Sequence, residues 1–215
     1  MPVWGNALKL EQAVLSGDDA LAAELTRLAL DEGNQPGSIL QEVLAPALKK
    51  VGQLWREGKF YMPHAVVSID AFQAAKDILM AHEGGRVEYI GKVVIGTVAG
   101  NEHLLGKKMI SGMLAASGFE VIDLGQNVPA QAFIQAVREE KPDVLGLGCY
   151  TSSAVHSLAE VVKLLRDSGL SHSVRVVIGG ESTSQELADE LGVDTWGGDV
   201  LDTVDKVMQL IGNDR

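Results

Sequence analysis

Residues 92–106 read KVVIGTVAGNEHLLG and change from an apolar half to a polar half. The apolar half is rich in β-branched residues, which is typical of a buried strand. The polar half contains Asn101 and His103, and a helix is predicted to follow from about Leu105 to Ser117. A strand, a loop and a helix in this order predict one unit of a parallel sheet, with the loop at the carboxyl end of the strand.

This loop lies where such a sheet meets a ligand. In open parallel sheets, ligands bind outside the carboxyl ends of the strands. Imidazole is the commonest metal ligand among side chains, and a neighbouring polar group usually fixes its tautomer. His103 is therefore a candidate metal ligand with Asn101 as its partner, although a single histidine on a loop is more often only solvated.

The chain before this stretch shows only helical spacing of apolar residues. Four helices with short connections predict a bundle over residues 1–84. The second helix can be capped by Asp18 or Asp19, and Pro63 suits the first turn of the fourth. The predicted helices cover residues 8–15, a segment starting at the cap, 38–55 and 63–82. Residues 85–91 are the predicted linker.

After the linker, strand and helix patterns alternate. The predicted strands are 92–98, 119–124, 143–149, 174–178 and 193–196. The helices between them are predicted to begin near residues 105, 129, 153 and 183, with a last one near 199. Such alternation predicts a five-stranded parallel sheet of Rossmann or flavodoxin type over residues 92–215. We therefore expect an α + α/β protein, in which a four-helix bundle precedes the sheet domain.

Composition argues against several classes of function. The formal net charge of −11 disfavours nucleic acid and anionic membrane surfaces, which attract basic patches. No apolar run approaches the length of a membrane span, and the first residues do not resemble a signal peptide. Cys149 is the only cysteine, so internal disulfides and cysteine metal clusters are excluded, and we expect a reducing cytoplasm.

The polar loop also resembles a known motif. Residues 100–106, GNEHLLG, resemble the D-x-H-x-x-G loop of the cobalamin-binding domains of methionine synthase and of corrinoid methyl-carrier proteins. The resemblance implies that His103 is the lower axial ligand of cobalt. It also implies that the rest of the loop contacts the cofactor, namely Asn101, Glu102, Leu104, Leu105 and Gly106.

A second resemblance lies in the helical half. Residues 51–63, VGQLWREGKFYMP, are similar to the segment that covers the upper face of cobalamin in methionine synthase. The two covering positions fall on Trp55 and Met62. An apolar lid excludes water from a reactive centre and can still swing aside. The alternative is that both residues belong to the ordinary core of the bundle.

Three further segments of the sheet half resemble the family. Residues 118–129, GFEVIDLGQNVP, resemble its second strand, whose role is mostly structural. Residues 146–154, GLGCYTSSA, occupy the place of the S-x-L motif, whose serine bonds the nucleotide tail of the cofactor. Residues 177–182, VIGGES, resemble its G-G motif, in which the backbone at Gly179 and Gly180 would pack against that tail.

Several positions depart from the family pattern. The S-x-L serine is replaced by Gly148 and the leucine by Tyr150, which puts the usual tail contact in doubt. Ser152 offers a hydroxyl nearby, but it can equally cap the next helix. The aspartate and serine that relay protons to the ligand histidine are replaced by Asn101 and Ala154. Because an amide cannot hold a proton or a charge, we expect ligation without the relay.

The resemblance implies a corrinoid methyl carrier of a multi-component methyltransferase system rather than a stand-alone enzyme. Its expected partners are a substrate:corrinoid methyltransferase, a methylcorrinoid:acceptor methyltransferase and a reductive activator. Methyl ethers (in an O-demethylase system), methanol and methylamines are possible donors, and tetrahydrofolate is a possible acceptor. The alternatives are a cobalamin-dependent sensor and the cobalamin-binding subunit of a mutase. The cofactor performs the chemistry, so no catalytic residue is expected.

Overall fold

The structure, a computed structural model, describes residues 4–82 and 89–212. The predicted linker, residues 85–91, lies mostly outside these ranges, so its limits stay a prediction. By internal contacts the chain forms two compact units, residues 1–89 with 112–118 and residues 90–111 with 119–215. Among the described residues, no helix is both long and apolar enough to cross a lipid bilayer.

The first part of the chain is helical, as predicted. Its helices are α1 (Ala7–Ser16), α2 (Asp19–Asp31), α3 (Pro36–Ile39), α4 (Ala45–Arg56) and α5 (Met62–Ala81), with a π-helical turn, Leu40–Leu44, joining α3 to α4. The side chain of Asp18 caps α2 by accepting the Leu21 N–H at 2.9 Å. The third predicted helix begins at Pro36 rather than at residue 38, because proline suits the first position of a helix.

Close packing explains how α1 ends. Gly17 adopts a left-handed conformation with φ of 74° and ends the helix. A Cβ atom at this position would collide with the side chain of Val67 in α5. The core of the bundle is made of fully buried apolar side chains, the largest being Leu10, Ile39, Leu44, Leu48, Phe72 and Leu79.

The second part of the chain alternates strands and helices. The strands are β1 (Gly91–Thr97), β2 (Phe119–Asp123), β3 (Val144–Gly148), β4 (Arg175–Gly179) and β5 (Thr195–Gly197). The helices are α6 (Leu105–Ala116), α7 (Ala130–Glu140), α8 (Val155–Asp167), α9 (Gln185–Leu191) and α10 (Val200–Gly212), with a 3₁₀ turn, Ser152–Ala154, before α8. All strand pairs are parallel, in the order β2-β1-β3-β4-β5. This is the flavodoxin order, which the sequence alone did not separate from the Rossmann order.

The register of the sheet aligns the ends of its strands. Thr97 pairs with Gly148, Gly148 with Gly179, and Gly179 with Gly197. The chain leaves β1 for β2 on one side and returns to β3 on the other side, so β1 and β3 flank the point where the strand order reverses. Ligands of open α/β sheets bind at such a point. The segments after β1, β3 and β4 therefore meet at one edge.

Candidate functional site

The orientation of His103 is set by a buried amide. His103 is exposed, and its Nδ1 lies 3.1 Å from Oδ1 of Asn101, which is fully buried. The amide nitrogen of Asn101 donates to the Gly148 carbonyl at 3.4 Å, which turns Oδ1 toward the imidazole. Because an amide oxygen only accepts hydrogen bonds, Nδ1 must carry the proton. The lone pair of Nε2 is then available to a metal ion.

Tyr150 packs against the same imidazole. The two rings are stacked, with 5.8 Å between centroids and 27° between planes. The Tyr150 hydroxyl lies over the backbone of Gly106, where a Cβ atom would collide with it. Burial raises the pKa of Tyr150 above its ordinary value, so the phenol stays neutral. The leucine position of the S-x-L motif is thus filled by a half-buried aromatic ring beside the candidate ligand.

The segment after β3 lacks the polar contacts of the family pattern. Ala154 is buried, and its Cβ lies 3.7 Å from the position that a Cβ would take at Gly100. Ser152 is exposed, and neither the 3₁₀ turn nor α8 has a side-chain cap, so the capping alternative is wrong. The hydroxyl oxygen of Thr151 is buried without a hydrogen-bond partner among the described residues.

The two glycines after β4 differ in what requires them. Gly180 has a φ of 111°, and a Cβ there would collide with the carbonyl oxygen of Cys149. Gly179 has ordinary backbone angles, and the atom nearest to an added Cβ is the Gly197 carbonyl oxygen at 3.4 Å. The fold itself therefore requires glycine at residue 180, whereas at residue 179 it needs only a small adjustment.

The segment from Glu102 to the first residue of α6, Leu105, presents apolar side chains to the exterior. Leu104 and Leu105 are 40% and 44% exposed, and Glu102 is exposed beside them. Large apolar side chains that face solvent next to an exposed imidazole are available to the apolar surface of a ligand. The residues predicted from the D-x-H-x-x-G motif thus lie together at the end of β1.

Trp55 and Met62 are described within the helical unit. Trp55 lies near the end of α4 and is half-buried, and Met62 begins α5 and is 43% exposed. The start of α5 is held by the Tyr61 N–H, which donates to Nδ1 of His64 at 3.1 Å. Neither Trp55 nor Met62 is fully enclosed by the bundle. Their covering role stays a prediction.

Two polar residues outside the predicted site hold the loop. Thr97, at the end of β1, is fully buried, and Asn127 adopts a left-handed conformation in the turn after β2. Both contact the backbone before His103. The available signal was weak, because asparagine tolerates a positive φ but its partner lies 27 residues away.

The residues present fit the cobalamin that the resemblance implies. His103 would offer its Nε2 to the metal, because its Nδ1 is already bonded to Asn101. The exposed leucines beside it offer apolar contact to the macrocycle. The unpartnered hydroxyl of Thr151 offers a hydrogen bond on the β3 side. Within the described residues no cluster of three or more His, Cys, Asp or Glu competes as a metal site.

Comparison with known proteins agrees with this fit. A family model described as a B12 binding domain matches residues 91–205, and a second model with the same description matches residues 7–80. A corrinoid protein of Desulfitobacterium hafniense is 33% identical over 95% of this chain and 96% of its own length. A dimethylamine corrinoid protein of Methanosarcina acetivorans is 34% identical over 82% of this chain and 84% of its own length.

Solved structures show the same architecture. A chain of the methanol:cobalamin methyltransferase complex of Methanosarcina barkeri matches with a TM-score of 0.87 and 24% identity, covering 98% of this chain and 81% of that one. A cobalamin-binding protein of Desulfitobacterium hafniense matches with a TM-score of 0.68 and 26% identity, covering 95% and 98%. The chain therefore belongs to the B12-binding family of corrinoid proteins, and its cofactor is a cobalamin.

Proposed function

We propose that this chain is a corrinoid methyl carrier, which receives a methyl group from one methyltransferase and delivers it to a second. The main support for this proposal is the exposed imidazole of His103, which is hydrogen-bonded to the fully buried amide of Asn101 after β1. In a chain of the B12-binding family, this geometry supports His103 as the lower ligand of cobalt. When bound, the corrinoid supplies a metal centre that accepts and releases a methyl group.

The protein side chains have three roles in this proposal. His103 would hold the metal through Nε2, and Asn101 would keep the proton on Nδ1 by accepting its hydrogen bond. Tyr150 limits rotation of the imidazole through ring contact. Trp55 and Met62 would shield the bound cofactor from water until a partner displaces them. Neither Asn101 nor Ala154 can transfer a proton, so these two residues would supply no proton relay to His103.

The names of the relatives support a proposal about the partners and the methyl donor. Several related corrinoid proteins are named for trimethylamine or dimethylamine, and a structural relative belongs to a methanol:cobalamin methyltransferase complex. We infer that this chain acts with a substrate:corrinoid methyltransferase and with a methylcorrinoid:acceptor methyltransferase. Methylated amines are the first donors to test, followed by methanol and methyl ethers.

A methyl-transfer assay tests the proposal. The protein is loaded with cobalamin, reduced, and mixed with a methyltransferase encoded near its gene and with each donor in turn. The visible spectrum should change to that of methylcobalamin with one donor class, and a second methyltransferase should reverse the change. The matched control is His103→Ala loaded to the same level. A loaded, reduced protein that no neighbouring methyltransferase methylates with any of the donors would contradict the proposal.

A further inference from the structure

The turn that follows β2 is hydrogen-bonded to the backbone just before His103. Asn127 in this turn has a φ of 53°, in the left-handed region. Its Oδ1 accepts the N–H of Gly100 at 2.7 Å, and its own N–H donates to the carbonyl of Asn101 at 3.0 Å. One residue therefore fixes both a donor and an acceptor of the segment that leads to the imidazole.

Thr97, the last residue of β1, fixes the same segment through its hydroxyl. Its hydroxyl donates to the carbonyl of Asn101 at 2.7 Å and accepts the N–H of Asn127 at 3.2 Å. The backbone continues the pairing, because the Thr97 N–H donates to the Gly125 carbonyl and the Val128 N–H donates to the Thr97 carbonyl. The turn after β2 is thereby bonded to the loop after β1.

The other end of the loop is tied to the same turn. Lys107, in the first turn of α6, is buried and forms an ion pair with both carboxylate oxygens of Asp123. Asp123 also accepts the N–H of Gly125 at 2.8 Å. Residues 123–127, here named the clamp turn, thus hold the loop on both sides of His103.

We propose that the clamp turn positions the axial ligand and that Asn127 is its principal positioning residue. The inference rests on the proposed role of His103. Among the residues that the structure describes, the loop between Val98 and α6 pairs with another segment of the sheet only through the bridge from Val98 to Val128. A ligand on such a loop keeps its geometry only if neighbouring groups fix the backbone. Asn127 is exposed, so water competes for its hydrogen bond and the contribution is modest.

Two substitutions separate the side chain from the backbone. Asn127→Gly removes the acceptor and keeps the positive φ without strain, since glycine adopts this conformation freely. Asn127→Asp keeps an acceptor oxygen at the same place. In the cofactor-free protein, amide exchange at Gly100 should be roughly two- to tenfold faster in Asn127→Gly, the range expected for one lost hydrogen bond. Exchange in Asn127→Asp should stay at the level of the unmodified protein.

The cobalamin-loaded protein provides the second measurement. The Co(II) electron paramagnetic spectrum of Asn127→Gly should show a reduced or broadened nitrogen coupling, and Asn127→Asp should restore it. Unchanged coupling in Asn127→Gly would overturn the inference even if Gly100 exchanges faster, because Asn127 would then serve only the turn. Unchanged exchange at Gly100 would overturn it as well.

A control keeps this test distinct from that of the proposed function. His103→Ala must abolish the protein-derived nitrogen coupling. If the coupling persists in His103→Ala, His103 is not the ligand, and the positioning role proposed for Asn127 is then wrong as well. If His103→Ala abolishes the coupling and Asn127→Gly does not alter it, only the positioning role is wrong.

Discussion

Replacing Asn101 by aspartate changes one side-chain atom, the amide nitrogen that faces the Gly148 carbonyl. Asn101 is fully buried, accepts from Nδ1 of His103 through Oδ1, and donates to the Gly148 carbonyl through its amide nitrogen. Asn101→Asp keeps the acceptor and gives it a charge. The lost donor bond is long, at 3.4 Å, and the Gly148 carbonyl still accepts the Val98 N–H at 3.0 Å. The substitution therefore acts mainly on the bond to His103.

The size of the effect follows from the strength of that bond. A neutral hydrogen bond contributes about 0.5–1.5 kcal/mol, and one to a charged group about 1.5–3 kcal/mol. The charged partner also makes the imidazole more basic and a firmer ligand. If the gain of about 1–1.5 kcal/mol stabilises the histidine-bound Co(II) state, the Co(II)/Co(I) midpoint becomes more negative by about 40–65 mV, because a factor of ten is 59 mV for one electron.

Spectroelectrochemical titration of the loaded proteins measures this shift. Asn101→Ala is the opposite control, because it removes the acceptor and should move the midpoint to a more positive value. The cofactor-free Asn101→Asp protein should melt at a lower temperature, since burying a carboxylate costs free energy. A midpoint in Asn101→Asp that is unchanged or more positive would mean that residue 101 does not control the strength of the bond between His103 and cobalt.

Three further predictions concern other parts of the chain. The double variant Trp55→Ala, Met62→Ala should bind cobalamin nearly as well as the unmodified protein and should speed photolysis of bound methylcobalamin. An unchanged photolysis rate would mean that both residues only pack in the helical bundle. Gly180→Ala should lower the free energy of unfolding in urea by about 2 kcal/mol or more, because the added Cβ collides with the Cys149 carbonyl at a positive φ. Gly179→Ala should cost far less, and equal losses in the two variants would contradict this prediction. Burial raises the pKa of the Cys149 thiol, so the folded chain keeps a proton that the unfolded chain loses above about pH 8.5, and stability should fall as pH rises from 8 to 10. Cys149→Ala should flatten that fall, and an unaltered slope would exclude the thiol as its cause.

Local patterns predicted most of the fold. The apolar run before His103 and its counterparts gave every strand, with ends displaced by at most two residues. Asp18 was one of two proposed caps, because a carboxylate before a helical pattern is a local signal. The order of the strands and the π-helical turn at Leu40–Leu44 were not predicted. Both depend on packing between distant segments, which local spacing does not encode.

The site could be predicted only in part, because some of its contacts also join segments that are distant in the chain. The contact between Asn101 and His103 spans two residues and follows from the motif. The fit of Tyr150 over Gly106 and the bond from Gly100 to Asn127 join segments far apart in the chain, so neither residue type alone indicated them. Gly180 was predicted to pack against the cofactor, and the structure gives it a further role against the backbone of Cys149.

Isotopic labelling of histidine shows whether His103 is the axial ligand of cobalt. The protein is produced with nitrogen-15 histidine, loaded with cobalamin of natural isotopic composition, and reduced to Co(II). Each line split by an axial nitrogen is a triplet for nitrogen-14 and becomes a doublet for nitrogen-15. We expect doublets in the labelled protein and their loss in labelled His103→Ala. Triplets in the labelled protein would mean that the cofactor's own base binds the cobalt and that His103 does not.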